Sequence, residues 1–169
     1  MPLSLKLPNF LAPLTQRWTM WSAASAGHTV TDARAPGYRV RYFNPQGLWN
    51  KGRLTQVVEV EGARLIYLSG QTPADAEYRV KSGDFRAQVN QVYDNIEIAL
   101  RAAGARMDHV VKTTTYLTDA AYIAPLREAR AARYASLKAP PANTLLVVSA
   151  LAEPEFLVEI EVIAAVPAG

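Results

Sequence analysis

The stretch LVEIEVIAAV, Leu157 to Val166, sets two carboxylates into an otherwise apolar run. In an extended strand successive side chains alternate between faces, so Val158, Ile160, Val162 and Ala164 make one wholly apolar face. Leu157, Glu159, Glu161, Ile163 and Ala165 make the other, which is mixed. The apolar face needs a covering layer. The acids have two readings. Ionised carboxylates are rarely buried unpaired, so they can mark a solvated surface; alternatively one of them sits in a cleft as an acid or base. Periodicity does not decide between these.

Outward from this strand, AEPE separates it from TLLVVSAL, because a proline cannot continue the ladder. HVVKTTTYLTD, His109 to Asp119, alternates and is β-branched, which predicts a further strand. Two helical patterns flank it. Asp84 is a suitable N-cap for a helix with Phe85, Val89, Val92, Tyr93, Ile96 and Leu100 at helical spacing, ending at Gly104. After Asp119, Pro125 suits a first turn, and Ile123, Leu126, Ala129, Tyr134 and Leu137 supply the buried stripe of a second helix, which KAPPANT ends. Upstream, TQVVEV, EG and ARLIYLSG read as two strands joined at Glu61 and Gly62 into a β-hairpin. YRVRYFNP, Tyr38 to Pro45, fits a short strand, and residues 72–83 read as a loop able to cover a neighbouring site. The core order is β-β-α-β-α-β-β, an α+β arrangement with two helices on one face of a mixed sheet. The other face then needs a partner. If Leu157 and Ile163 lie there, a closed symmetric assembly would bury them.

At 169 residues the chain has room for one domain with a sizeable core. Half of its residues are hydrophobic and a fifth are charged, an ordinary globular balance. There is no cysteine, which excludes disulfides, thiolate metal sites and a cysteine nucleophile. The net charge is +3 without a basic run, and the series Arg127, Arg130, Arg133 and Lys138 reads as a solvated helix face, so no nucleic-acid partner is expected. No segment approaches the roughly 20 apolar residues of a membrane span. Residues 1–36 stand apart as an amino-terminal extension, read either as loosely ordered or as a start codon read too early, with Met20 the true start. Pro8, Asn9, Pro13, Gln16 and Arg17 break any continuous apolar signal core, so a cytoplasmic location is expected. Residues 37–169 form the single domain.

The two histidines, His28 and His109, have neither triad nor metal spacing. No phosphate-cradling glycine loop appears, so a bound nucleotide cofactor is not expected. What remains is a set of polar residues at strand ends: Ser69, Gly70 and Gln71, Asn143 and Thr144, and Glu159. Each also has a structural reading as turn or strand-end chemistry.

The order of LIYLSGQ, QVNQVYDNIEIALRAAGA, VVKTTTYLTD, PPANTLLVVSALA and LVEIEVIA resembles the RidA family of reactive intermediate deaminases, also called the YjgF family. The resemblance runs from about Asn44 to Val166. It implies a chorismate-mutase-like α+β subunit, a barrel-like homotrimer with clefts between neighbours, and cofactor-free hydrolysis of small reactive enamines and imines to ketoacids and ammonia. Under it, Glu159 is the carboxylate that positions or activates water, and Ser69 and Gly70 line the cleft. Two positions depart from the family. Deaminating members carry an arginine directly after PA, where this chain has Asn143; a bidentate ionic clamp worth about 1.5–3 kcal/mol becomes a neutral contact. The cleft tyrosine of a G-x-Y-x-Q pattern corresponds to Leu54 in GRLTQ. Arg127, one turn into the second helix, is a candidate replacement for the missing cation, against its reading as a solvated arginine. The expected function is hydrolysis of an enamine or imine other than 2-aminoacrylate; the competing reading is a non-catalytic trimer that binds a metabolite. A ribonuclease reading, which the family also carries historically, finds no histidine constellation or basic stripe here.

Overall fold

The structure, a computed structural model, describes residues 29–49, 52 and 54–168. Along the chain come β1 (Thr29–Ala35), β2 (Tyr38–Phe43), β3 (Val57–Glu61), β4 (Ala63–Gln71), α1 (Phe85–Ala102), β5 (Val110–Leu117), α2 (Ile123–Arg133), β6 (Ala142–Val147) and β7 (Val158–Pro167). The α+β class with two helices and a mixed sheet is thus present.

β7 runs through the larger sheet, whose order is β4-β7-β5-β6. It pairs antiparallel with β4 and β5, while β5 and β6 are parallel. Its apolar face is buried as the alternation requires. Val158, Ile160, Val162 and Ala164 pack with Val89, Val92, Ile96 and Leu100 of α1 and Leu126 of α2. Full burial of each larger aliphatic among them is worth about 1.5–3 kcal/mol relative to exposure, so this seam dominates the stability of the subunit. The start of α1 is fixed locally: the Asp84 carboxylate accepts from the Ala87 N–H at 3.0 Å. α2 is shorter than its apolar stripe suggests. It ends at Arg133, although Tyr134 still packs on the core.

The expected β3–β4 hairpin does not form. β3 pairs with β2, where Arg39 faces Glu61 and Arg41 faces Glu59 with ion pairs of 2.7 Å, and β4 pairs with β7. Gly62 has the left-handed backbone the sequence calls for, at φ +59°, yet it turns the chain from one sheet into the other. A glycine turn serves a hairpin and a corner equally well; the pairing partners are distant in sequence and decide which it is. A Cβ at Gly62 would also run into the Gly37 carbonyl oxygen.

Part of the segment expected to be loosely ordered is a strand. Thr29–Ala35 pairs antiparallel with β2, completing a small sheet in the order β1-β2-β3. TVTDARA lacks apolar alternation; Asp32, buried between Arg34 at 2.6 Å and Lys138 at 3.2 Å, anchors it instead. The expectation for residues 1–28 lies outside the described residues.

The small sheet also corrects the picture of a wholly uncovered face. Tyr38, Val40, Val58 and Val60 pack on Val111, Ile163 and Ala165 of the large sheet, and the Tyr38 hydroxyl donates to the Ala165 carbonyl at 3.0 Å. Leu157, expected on that face, lies one residue before β7 and packs on the helix side instead. Apolar side chains that remain open include Leu65 and Tyr67 on β4 and Leu146 and Val147 on β6, the two edge strands of the large sheet.

Gly62→Ala is expected to lower stability by about 1–3 kcal/mol in urea denaturation, because both the left-handed backbone and the contact with Gly37 oppose a side chain. Gly83, also left-handed at φ +73°, has nothing within 4 Å of a built Cβ, so Gly83→Ala should cost less. Equal losses would show that backbone conformation alone sets the cost.

Candidate functional site

Glu159 lies on β7 opposite Tyr116 of β5, on the face away from the helices. An irregularity in β4 between Leu68 and Gln71 lets Ser69 and Gly70 leave the regular ladder beside it. Gly70 has a definite role there. A Cβ at that position would collide with Glu159 Oε1, so the carboxylate rests where only a glycine leaves room. Burial pushes the Glu159 carboxyl above the usual carboxylate range, and the negative charge of Glu161 adds to the shift. Among the described residues no side chain hydrogen-bonds to Glu159. Glu161 differs: it is exposed and accepts from the Tyr116 hydroxyl at 3.1 Å. One acid is partly desolvated and unengaged, the other solvated and held. Ser69 is exposed, and its carbonyl accepts from Gln71 Nε2 at 3.0 Å.

Asn143 occupies the opposite face. It stands beside Thr113 in the parallel β5–β6 register, and its side chain turns toward the helix layer. Nδ2 donates to Thr113 Oγ1 at 2.8 Å, and Oδ1 accepts from Nη1 of Arg130 at 3.1 Å. Thr113 continues to the hydroxyl of Tyr134, which also meets that of Tyr93; burial raises both phenols above their ordinary value, Tyr93 strongly. The reading of Arg127, Arg130, Arg133 and Lys138 as a solvated helix face fails at Arg130, which is buried. The signal for it exists: Arg130 follows Leu126 by four residues, which puts it on the inward face of the helix.

Arg127 itself is exposed. It lines a cavity of about 380 Å³ with Gly52, Arg130, Tyr134, Lys138 and Pro140. Leu54 is half-buried in the loop that follows Gly52, and its neighbour Thr55 donates its backbone N–H to the Pro141 carbonyl at 3.3 Å. That loop therefore rests on the PPAN segment. The candidate residues fall into two groups. Glu159, Gly70 and Ser69 gather on one face of the large sheet, while Asn143 joins Arg130 on the other, next to the cavity that Arg127 lines. Within a single chain the structure does not bring Asn143 to Glu159. Among the described residues no group of three histidine or acidic side chains is placed to hold a metal ion. His109 is buried, with Nδ1 accepting from the Arg106 N–H at 3.1 Å.

A chain with a four-stranded mixed sheet and two helices on one face is of a known kind. A family model described as endoribonuclease L-PSP matches residues 48–166. Protein DfrA of Myxococcus xanthus is 37% identical over 101 residues, which cover 59% of this chain and 76% of that protein. A solved Rid-family protein of unknown function from Yersinia pestis, YyfB, is similar with a TM-score of 0.70 at 32% identity, covering 75% of this chain and 98% of that one. The 2-iminobutanoate/2-iminopropanoate deaminase of Salmonella typhimurium is 32% identical over 60 residues, 36% of this chain and 47% of that enzyme. The chain belongs to the Rid (YjgF) family. No helix among the described residues is long and apolar enough to cross a membrane.

The raised Glu159 carboxyl has a consequence for stability. The folded protein holds that proton more tightly than the unfolded chain does, so ionised Glu159 opposes folding above its folded pKa, and the penalty fades as pH falls through the folded pKa and is gone below the ordinary glutamate value. Glu159→Gln should therefore melt higher than wild type at pH 7, with the gap closing on acidification. A gap independent of pH would rule out desolvation of the carboxylate as its source.

Proposed function

We propose that the protein hydrolyses small enamine or imine intermediates, with Glu159 as the group that aligns or deprotonates water. The observation that carries this reading is the Glu159 carboxylate, partly desolvated and seated over Gly70 without a side-chain hydrogen bond among the described residues. A general base needs a pKa closer to neutrality than a solvated glutamate has, and burial moves it that way. An enamine first takes a proton at carbon to become the imine; water then adds to the C=N carbon while one of its protons passes by way of Glu159 to nitrogen, and the carbinolamine so formed gives its hydroxyl proton to nitrogen as the C–N bond breaks, releasing ammonia and leaving a C=O. Backbone groups at the exposed Ser69 and the half-buried Gly70 orient the substrate. No metal or organic cofactor is required for these steps. The deaminase among the relatives acts on substrates of this class, and a cytoplasmic setting suits intermediates released by pyridoxal-phosphate enzymes.

The working unit in this reading is a homotrimer. Two features support it: both edge strands of the large sheet carry exposed apolar side chains, and Asn143 and Glu159 lie on opposite faces of one sheet. A cleft using both needs Asn143 from one copy and Glu159 from the next. Light scattering at micromolar concentration should return three times the mass of the 18.5 kDa chain. A monomeric mass would remove the shared cleft.

Asn143 keeps the second reading in view, a trimer that binds a metabolite without turning it over, since the resemblance puts a carboxylate clamp at this position and the residue here is a neutral amide. Ammonia release from freshly generated 2-iminobutanoate and related imino acids separates the two. Wild type should outpace spontaneous hydrolysis, and Glu159→Gln should lose about 10²-fold or more of that rate. Gly70→Ala, which displaces the carboxylate, should lose activity while keeping a cooperative melt. If neither wild type nor variant exceeds the background over several imino acids, the hydrolase reading fails.

A further inference from the structure

Arg130 is only 8% exposed, yet its one hydrogen-bonding side-chain partner among the described residues is the neutral Asn143. A guanidinium has five donors and a permanent charge, and burying it without a counter-charge is unfavourable. All 15 aspartates and glutamates of the chain lie among the described residues, and none pairs with Arg130. Those carried by α1, α2 and β1 nearby are engaged elsewhere. Asp94 and Glu97 hold Arg133 at 2.7 and 3.1 Å, Glu128 holds Arg86 at 2.6 Å, and Asp32 holds Arg34 and Lys138. Among the described residues no side chain supplies a counter-charge to Arg130, which leaves that place open to a bound anion.

The surroundings fit that role. The cavity of about 380 Å³ beside Arg130 is lined by Arg127 and Lys138 as well, and by no acidic side chain. Its volume suits a small organic ligand. The orientation of the guanidinium is also fixed. Asn143 Nδ2 is committed to Thr113 Oγ1, which leaves Oδ1 facing Arg130 Nη1, and the remaining donors are available to a planar, two-oxygen acceptor.

We propose that Arg130, oriented by Asn143, binds the carboxylate of a small oxo or imino acid, so that α2 supplies the cation missing from position 143. Asn143 is then a positioning residue. The inference rests on the hydrolase reading only for the identity of the ligand class; the anion site stands on Arg130 and its cavity.

The test compares pyruvate with pyruvamide, which differ by the charge of one end, in calorimetric titrations of the full-length protein. Wild type should bind pyruvate at least tenfold more tightly than pyruvamide. Arg130→Met should abolish that preference, and Arg86→Ala, on the exposed face of α1, should keep it. Asn143→Asp gives a second route: it places an acid against the guanidinium, should keep the cooperative melt, and should abolish the preference by neutralising Arg130 in place. No preference in wild type overturns the proposal, as does a wild-type preference in a folded Arg130→Met. Should Arg130→Met not fold, an undiminished preference in Asn143→Asp overturns it. Ammonia release is read separately. An Arg130-dependent preference without any turnover leaves the anion site standing and removes the hydrolase; turnover with no such preference does the reverse.

Discussion

The seam between β7 and the two helices is the constraint on which the subunit depends. Val158, Ile160, Val162 and Ala164 must face α1 and α2, and strand alternation then forces Glu159 and Glu161 to the other side. A slip of one residue would bury both acids. Hydrophobic packing therefore sets the direction of the chemistry: the glutamate reaches its place because its neighbours are apolar, and Gly70 on the adjoining strand leaves the space it occupies.

The same alternation acts on β6, with a different result. Asn143 shares the helix-facing side with Leu145, so it is drawn into a polar network under the sheet and away from Glu159. A half-buried amide there is tolerable because both of its ends are satisfied, by Thr113 and by Arg130. An unpaired amide at that depth would be costly, which ties the residue at 143 to what α2 presents opposite it.

How much was legible in the sequence follows from the range of each interaction. The cap at Asp84, the inward stripe of α1 and the two faces of β7 are local patterns, and each matches the structure. The partners of β3 and β4 are not local: Glu61 and Gly62 fit a hairpin, yet the ladder runs to β2 on one side and β7 on the other. β1 was hidden because TVTDARA is held by the buried charge of Asp32 and not by apolar alternation. In the site, the two acids of β7 could be told apart by motif and differ in environment as well, Glu161 being held by Tyr116. Arg130 was obscured by composition: in a helix with several arginines, the inward one is revealed only by its spacing from Leu126.

Because the guanidinium of Arg130 meets the strand at Asn143, a helix position and a strand position form one electrostatic unit divided over two columns of any alignment. Read by the strand column alone, this chain shows a neutral amide. Read by both, it shows a buried guanidinium held against that amide, delivered from another element. Sorting relatives by a single motif residue would therefore group proteins by where the chain holds its cation, and not by whether it has one.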